Sequence, residues 1–206
     1  MAITQEDIKT AIEKHKKWLA YDDTEGKRFR FNGEDLSGLN FSNANLDNAI
    51  MEGCNLSKAL FYEANLAGCD FSNSDLRGAH FQKANLCYSH FEGAFLKDAR
   101  LSQTKTEGLH GKQVISIQIS LTKENDVLAY WPELNIITMD TFQGQPDELR
   151  AMLKEGVKKK KQLKKFYRLI DCLEELATLK NEYMLRYYSY VKPYVKAYTY
   201  KNDSES

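Results

Sequence analysis

The residues that could do chemistry are few, and their spacing limits what that chemistry could be. Among four histidines and four cysteines, His80 and His90 come closest to a pair, ten positions apart. None of Cys54, Cys69, Cys87 and Cys172 stands in a CxxC pair, which predicts reduced thiols rather than a disulfide framework or a zinc site. The chain contains no phosphate-cradling P-loop, dinucleotide-binding glycine pattern, HExxH helix or nucleophile elbow. These observations predict a protein that is not an enzyme and has no catalytic residues, metal, cofactor or small-molecule substrate. The strongest charged feature is Lys158, Lys159, Lys160 and Lys161, followed by Lys164, Lys165 and Arg168. Residues 151–201 hold 13 Lys plus Arg against 5 Asp plus Glu. Interleaved with tyrosine, this basic patch could hold nucleic acid phosphates or an anionic membrane surface. The plain alternative is a solvated helix face whose tyrosines serve the core.

What these side chains can do depends on the elements that carry them, and the dominant element is a period of five. Large apolar residues fall at Phe31, Leu36, Phe41, Leu46, Met51, Leu56, Phe61, Leu66, Phe71, Leu76, Phe81, Leu86, Phe91, Leu96 and Leu101 without a miss. Two positions before each centre from Leu46 onward the residue is small, as at Ala44, Cys54, Cys69, Ser74 and Ala84. Two positions after a centre stand Gly or Asn in most repeats, including Gly33, Gly38, Asn43, Asn48 and Gly53. A period of five fits neither a helix nor a flat strand, so the chain must turn at every repeat. Gly and Asn supply the positive φ of such a turn at little cost.

Units such as Ala44-Asn45-Leu46-Asp47-Asn48 and Ala84-Asn85-Leu86-Cys87-Tyr88 resemble the pentapeptide-repeat family, and the resemblance covers residues 31–105. It implies a right-handed quadrilateral β-helix with four repeats per coil. Residues 20 apart should then stack. Phe31, Met51, Phe71 and Phe91 form one column, Phe41, Phe61, Phe81 and Leu101 the opposite one, and leucines the two between them. Asn45, Asn65 and Asn85 align as a polar ladder. Fifteen repeats make just under four coils, about 18 Å of stack at the usual interstrand spacing. His80 and His90 then lie on opposite outer faces, which predicts structural or surface roles. Cys54 and Cys69 point inward as core fillers, and Asp70 and Asp75 belong to adjacent solvated faces.

So short a stack needs covers at its ends. Thr4-Gln5-Glu6-Asp7 reads as a helix start, with Ile8, Ile12, His15, Trp18 and Leu19 on one face; residues 1–29 are therefore assigned as an N-terminal capping helix and lead-in. The repeat zone is assigned to 30–105. Residues 106–145 are assigned as a β cap, with strands at Ile115–Leu121 and Leu134–Phe142 around a turn at Lys123–Asp126. Residues 146–206 are assigned as a helical, basic, Tyr-rich extension. Pro146, Asp147 and Glu148 open one helix, to about Glu155. A second, Gln162–Lys192, carries a stripe that includes Leu163, Phe166, Ile170, Leu173, Leu176, Tyr183 and Tyr187. At about 45 Å it is too long to cover its stripe on the stub alone, which predicts coiled-coil pairing with a folded-back helix or a second subunit.

With 206 residues, 42% of them hydrophobic, and 29 charges of each sign, the chain can build a core and has no net charge. No apolar run reaches ten residues and Met1–Ala20 carries Lys and Glu throughout, which predicts a cytoplasmic protein without a membrane span or signal peptide. The leading functional expectation is a protein-interaction scaffold that assembles as a dimer through its tail. Leu60, Tyr62, Tyr88 and Phe95 are candidates for a partner surface. The family resemblance implies an alternative, a DNA-mimicking inhibitor and protector of a type II topoisomerase such as gyrase. Such mimics are long and strongly acidic, whereas residues 31–105 carry 9 acidic and 6 basic side chains.

Overall fold

The computed structural model describes residues 2–21, 24–112, 114–119, 126–158, 160–178 and 196–198. They form two compact units, Met1–Lys112 and Gln113–Ser206.

In the first unit, helix α1 (Gln5–Ala20) leads into coils whose parallel bridges join residues 20 apart, from Arg30 with Ile50 to His90 with His110. Each wall is held from two sides. A centre donates its N–H to the next coil, as Phe41 does to the Leu60 carbonyl at 2.7 Å. The residue before a centre donates to the previous coil, as Leu60 does to the Leu39 carbonyl at 2.9 Å. The inner coils thus satisfy their wall backbone along the stack, the accounting that burial demands. The turn geometry is uniform even where the sequence is not: Lys58, Glu63, Lys83, Tyr88, Asp98 and Gln103 take φ between 56° and 61°, beside the Gly and Asn of the other repeats.

Fourteen of the fifteen centres are buried, and Phe31 is half-buried. Phe41, Phe61 and Phe81 stack at 4.9 and 5.0 Å, within 11° of parallel, because one coil rises by about one interstrand spacing. The facing column meets them edge-on, Phe71 lying 5.8 Å from Phe61 and 6.0 Å from Phe81. The Asn ladder is present, with Asn65 Nδ2 donating to Asn45 Oδ1 at 2.8 Å and Asn85 Nδ2 to Asn65 Oδ1 at 2.9 Å. The solenoid runs past the expected end at 105. One further repeat places Thr106 at the centre position, with Leu109 buried behind it, and closes on the His90–His110 bridge. A polar centre hides this repeat from a search for large apolar residues.

Helix α1 covers the first coil with side chains that imitate a missing strand. Thr4 caps it in a reciprocal box with Asp7. Gln5 Nε2 donates to the Asn40 carbonyl while its Oε1 accepts the Asn40 N–H, both at 2.8 Å. A preceding coil would have offered such a donor and acceptor from its backbone. His15, fully buried, does similar work at the next wall. Its Nε2 meets the Asp47 carbonyl at 3.1 Å and its Nδ1 accepts the Phe29 N–H at 3.0 Å. Arg28 Nε donates to the Asn48 carbonyl at 2.6 Å. The return from α1 needs Gly26: its φ is +78°, and a Cβ there would strike the Lys14 carbonyl oxygen.

Among the described residues the second unit holds a five-stranded antiparallel sheet and two helices. Its strands are β1 (Ile115–Ile119), β2 (Asp126–Trp131), β3 (Ile136–Met139), β4 (Phe142–Gly144) and β5 (Lys196–Tyr198), in the order β4-β3-β2-β1-β5. Helices α2 (Pro146–Gly156) and α3 (Lys160–Thr178) share one core with it. Leu128, Tyr130 and Ile137 from the strands meet Leu149 and Leu153 from α2 and Phe166, Ile170, Leu173 and Leu176 from α3.

Two sequence expectations change here. The strand and helical segments, divided at 145, share this core and belong to one unit. The single strand expected over Leu134–Phe142 is a 3₁₀ turn, β3, a tight turn and β4. Asn135 and Asp140, at φ 50° and 49°, reverse the chain on either side of β3. Strand β2 lies outside the expected strands altogether.

Candidate interaction surface

Cys54, Cys69, Asp70 and Asp75 are engaged in hydrogen bonds within the solenoid. Cys69 is fully buried and its Sγ donates to the Leu46 carbonyl at 2.9 Å. Ser74, at the equivalent position, donates to Met51 at 2.6 Å and Cys54 to Phe31 at 3.4 Å. The small inward residue thus feeds a spare carbonyl lone pair 23 positions back. Burial raises the thiol pKa at Cys54, Cys69, Cys87 and Cys172, which suppresses the reactive thiolate. Asp75 is held below the usual carboxylate range, chiefly by hydrogen bonds from Arg77, and Asp70 accepts the Ser72 N–H at 2.9 Å.

His80 and His90 occupy different walls. His80 bridges Leu60 and Arg100, and partial burial followed by the Arg100 charge lowers its pKa. His90 instead stacks on His110, ring centroids 4.7 Å apart and 9° from parallel. That partner belongs to the repeat with the polar centre, beyond the end that the apolar period marks. Among the described residues no group of three or more His, Cys, Asp or Glu is arranged to hold a metal ion.

The four candidate partner residues separate into three places. Leu60 and Tyr62 flank Phe61, Leu60 on the wall and Tyr62 opening the turn that follows, whereas Phe95 precedes Leu96 on the wall before it and Tyr88 holds the positive-φ position of another turn. Tyr62 is 38% exposed, with Lys83 Nζ 5.3 Å from its ring centroid and 3.1 Å from Glu63 Oε1. Bonds to Tyr62 and Glu63 raise the pKa of that ammonium, and it lowers that of Glu63 in turn. Tyr88 leans on Gly108, and its hydroxyl donates to Glu107 at 3.2 Å. Phe95 is the most exposed, at 62%.

In the second unit, Lys158, Lys160, Lys161, Lys164, Lys165 and Arg168 are all exposed; Lys159 lies outside the described residues. On the same helix Phe166, Ile170, Leu173 and Leu176 are buried, and Leu163 is half-buried against the same cluster. The first half of this stripe therefore needs no second subunit: its own sheet and the neighbouring helix α2 cover it. Tyr183 and Tyr187, with the rest of the expected helix to Lys192, lie outside the described residues. Arg150 ties α2 to α3, its guanidinium reaching Asp147 at 2.9 Å, Asp171 at 2.6 Å and also Glu174. Among the described residues no helix is long and apolar enough to cross a membrane.

A stack of four-sided coils with a five-residue period defines a repeat scaffold of the β-helical class. Residues 25–109 match the family profile of the pentapeptide repeat region, the family that the repeat units resemble. Among solved structures the chain is similar to the pentapeptide repeat protein Rfr23 from the cyanobacterium Cyanothece 51142, at 27% identity over 44% of this chain and 65% of that one, with a TM-score of 0.40. It is similar to HetL, a pentapeptide repeat protein involved in heterocyst differentiation regulation in the cyanobacterium Nostoc sp. strain PCC 7120, at 27% identity over 39% of each chain and a TM-score of 0.28. A third is QnrB1, a plasmid-mediated fluoroquinolone resistance protein, at 19% identity over 40% of this chain and 53% of that one, with a TM-score of 0.23. The matched region spans less than two thirds of each of these proteins. No curated protein matches the sequence.

Proposed function

We propose that the chain is a non-enzymatic protein-interaction scaffold in which one solenoid wall presents side chains to a protein partner. The observation that carries this reading is the pair of half-buried Leu60 and exposed Tyr62, on either side of Phe61 where the ladder fixes the backbone. A surface so held loses little conformational entropy on binding. An aromatic residue flanked by a cation is the type of group that anchors protein interfaces. The walls carry both acidic and basic residues, so recognition by shape and apolar contact suits them better than imitation of a polyanion.

The test compares partner capture by the full chain, by Leu60→Ser/Tyr62→Ser and by Tyr88→Ser/Phe95→Ser, with thermal melting as the folding control. Loss of one captured protein with the first variant but not the second supports the wall. Equal capture by all three would remove it. Assembly through the tail is a separate proposal. Light scattering of the full chain reads it directly, and a monomer at micromolar concentration would end it.

A further inference from the structure

The basic residues that open α3 form one continuous face. Lys160, Lys161, Lys164, Lys165 and Arg168 follow the spacing of one helix side, an arc of about 140° at 100° per residue. The arc is centred opposite buried Phe166, Ile170 and Leu173. Exposed Lys158 precedes it. None of these six makes an ion pair with a described residue, whereas the nearby carboxylates Asp171 and Glu174 are taken up by Arg150.

The placement runs against the helix's own electrostatics. The first turn of α3 holds no acidic residue, and cations there oppose the positive end of the macrodipole. Lys160 with Lys164, Lys161 with Lys165 and Lys164 with Arg168 are like-charge pairs four apart, each mildly destabilising. A polyanion along this face would relieve all of these repulsions together. Five cations over about 12 Å of helix meet a ligand of high linear charge density, and duplex nucleic acid carries about one phosphate per 1.7 Å of axis.

Two observations decide between polyanions. The apolar side of α3 is buried in its own core, so the helix has no apolar face to sink into a lipid surface as interfacial helices do. The neighbouring aromatic, Tyr167, is half-buried, and its hydroxyl donates to the Arg150 carbonyl at 3.1 Å; it offers no platform for the base stacking on which single-strand binders rely. We propose that the Lys160–Arg168 face of α3 binds the phosphate backbone of duplex nucleic acid without sequence selectivity.

The experiment measures binding of the full chain to a labelled mixed-sequence DNA duplex across a salt series. It is repeated with K160Q/K161Q/K164Q/K165Q and with the charge-preserving Lys→Arg set at the same positions. Binding to the duplex should weaken at least about tenfold in the Gln variant, and the slope of log K against log salt should flatten by about 3.6, or about 0.9 per lost phosphate contact. The Arg set should retain both affinity and slope. Because the Gln substitutions remove like-charge pairs, melting should not fall. No duplex binding by the full chain, or an unchanged slope in the Gln variant, overturns the proposal. So does tighter binding to single strands, or binding to phosphatidylserine vesicles in place of the duplex.

Discussion

The two units hold themselves together in different ways. In Met1–Lys112 the core is a set of columns: aromatic rings meet the rings one coil above and below, and the backbone ladder runs along the same axis. In Gln113–Ser206 one cluster gathers side chains from β2, β3, α2 and α3 at a single point. A stack behaves as a chain of nearest-neighbour contacts, so its stability scales with coils and its weak places are the ends. A converging cluster has no ends, and any member is coupled to most others. This contrast explains why the first unit spends Gln5, His15 and Arg28 on backbone groups at its first coil, while the second ties α2 to α3 through Arg150.

The sharpest way to break the contrast is to cut one core in each unit of the full chain. Phe61→Ala removes two parallel stacks and an edge contact at once, and is expected to cost about 4 kcal/mol. Ile170→Ala empties the centre of the other cluster at about 3 kcal/mol. Hydrogen exchange read separately on coil amides and on α2 and α3 amides should show each loss confined to its own unit. If Phe61→Ala accelerates exchange in α3 as much as in the coils, the units form one cooperative body.

A smaller effect is expected at the end of the stack and depends on pH. Burial lowers the pKa of His15 from 6.5, with Arg28 acting in the same direction. The neutral ring is the one that fits, because Nδ1 must accept the Phe29 N–H. The folded pKa lies below the unfolded one, so the unfolded chain takes up the proton first. The stabilisation is complete above pH 6.5 and is lost as pH falls through 6.5 toward the folded pKa, at up to about 1.4 kcal/mol per pH unit for one proton. Denaturation of the first unit followed from about pH 7.5 to about pH 5 should show this decline. His15→Gln should flatten it. A decline of equal slope in that variant would assign it to other groups.

The two units also differ in how far they can be read from sequence. The five-residue period exposes the columns, the inward cysteines and the Asn ladder, because one rule fixes every position and repetition averages out exceptions. Thr106 shows the limit: a polar centre at the last repeat conceals that repeat, and with it the His90–His110 stack. In the second unit the periodicity of α3 is legible, but what its stripe meets is a long-range fact that periodicity does not carry. Strand β2 has a local signal, since Val127–Trp131 is an apolar run of strand-forming residues, yet five residues without alternation do not distinguish a buried strand from a piece of helix. His15 is readable as a member of the apolar face of α1. A polar ring at such a position must find hydrogen bonds, and that requirement alone points to its role in capping the coil.

The smallest effect concerns uniformity within the stack. Lys58 occupies the same left-handed turn position as the glycines, at φ 58°, with its side chain exposed. A left-handed conformation costs a non-glycine residue about 1–2 kcal/mol, while glycine brings about 0.5–1 kcal/mol of extra unfolded-state entropy. Lys58→Gly should therefore stabilise the first unit by about 0.5 kcal/mol net, visible as a slightly higher denaturant midpoint with an unchanged slope. The same substitution at a residue of ordinary helical or extended φ would only lose stability. If Lys58→Gly loses stability too, then the lysine stem lying along the wall outweighs the turn strain, and the solenoid's outer side chains would count among its structural supports.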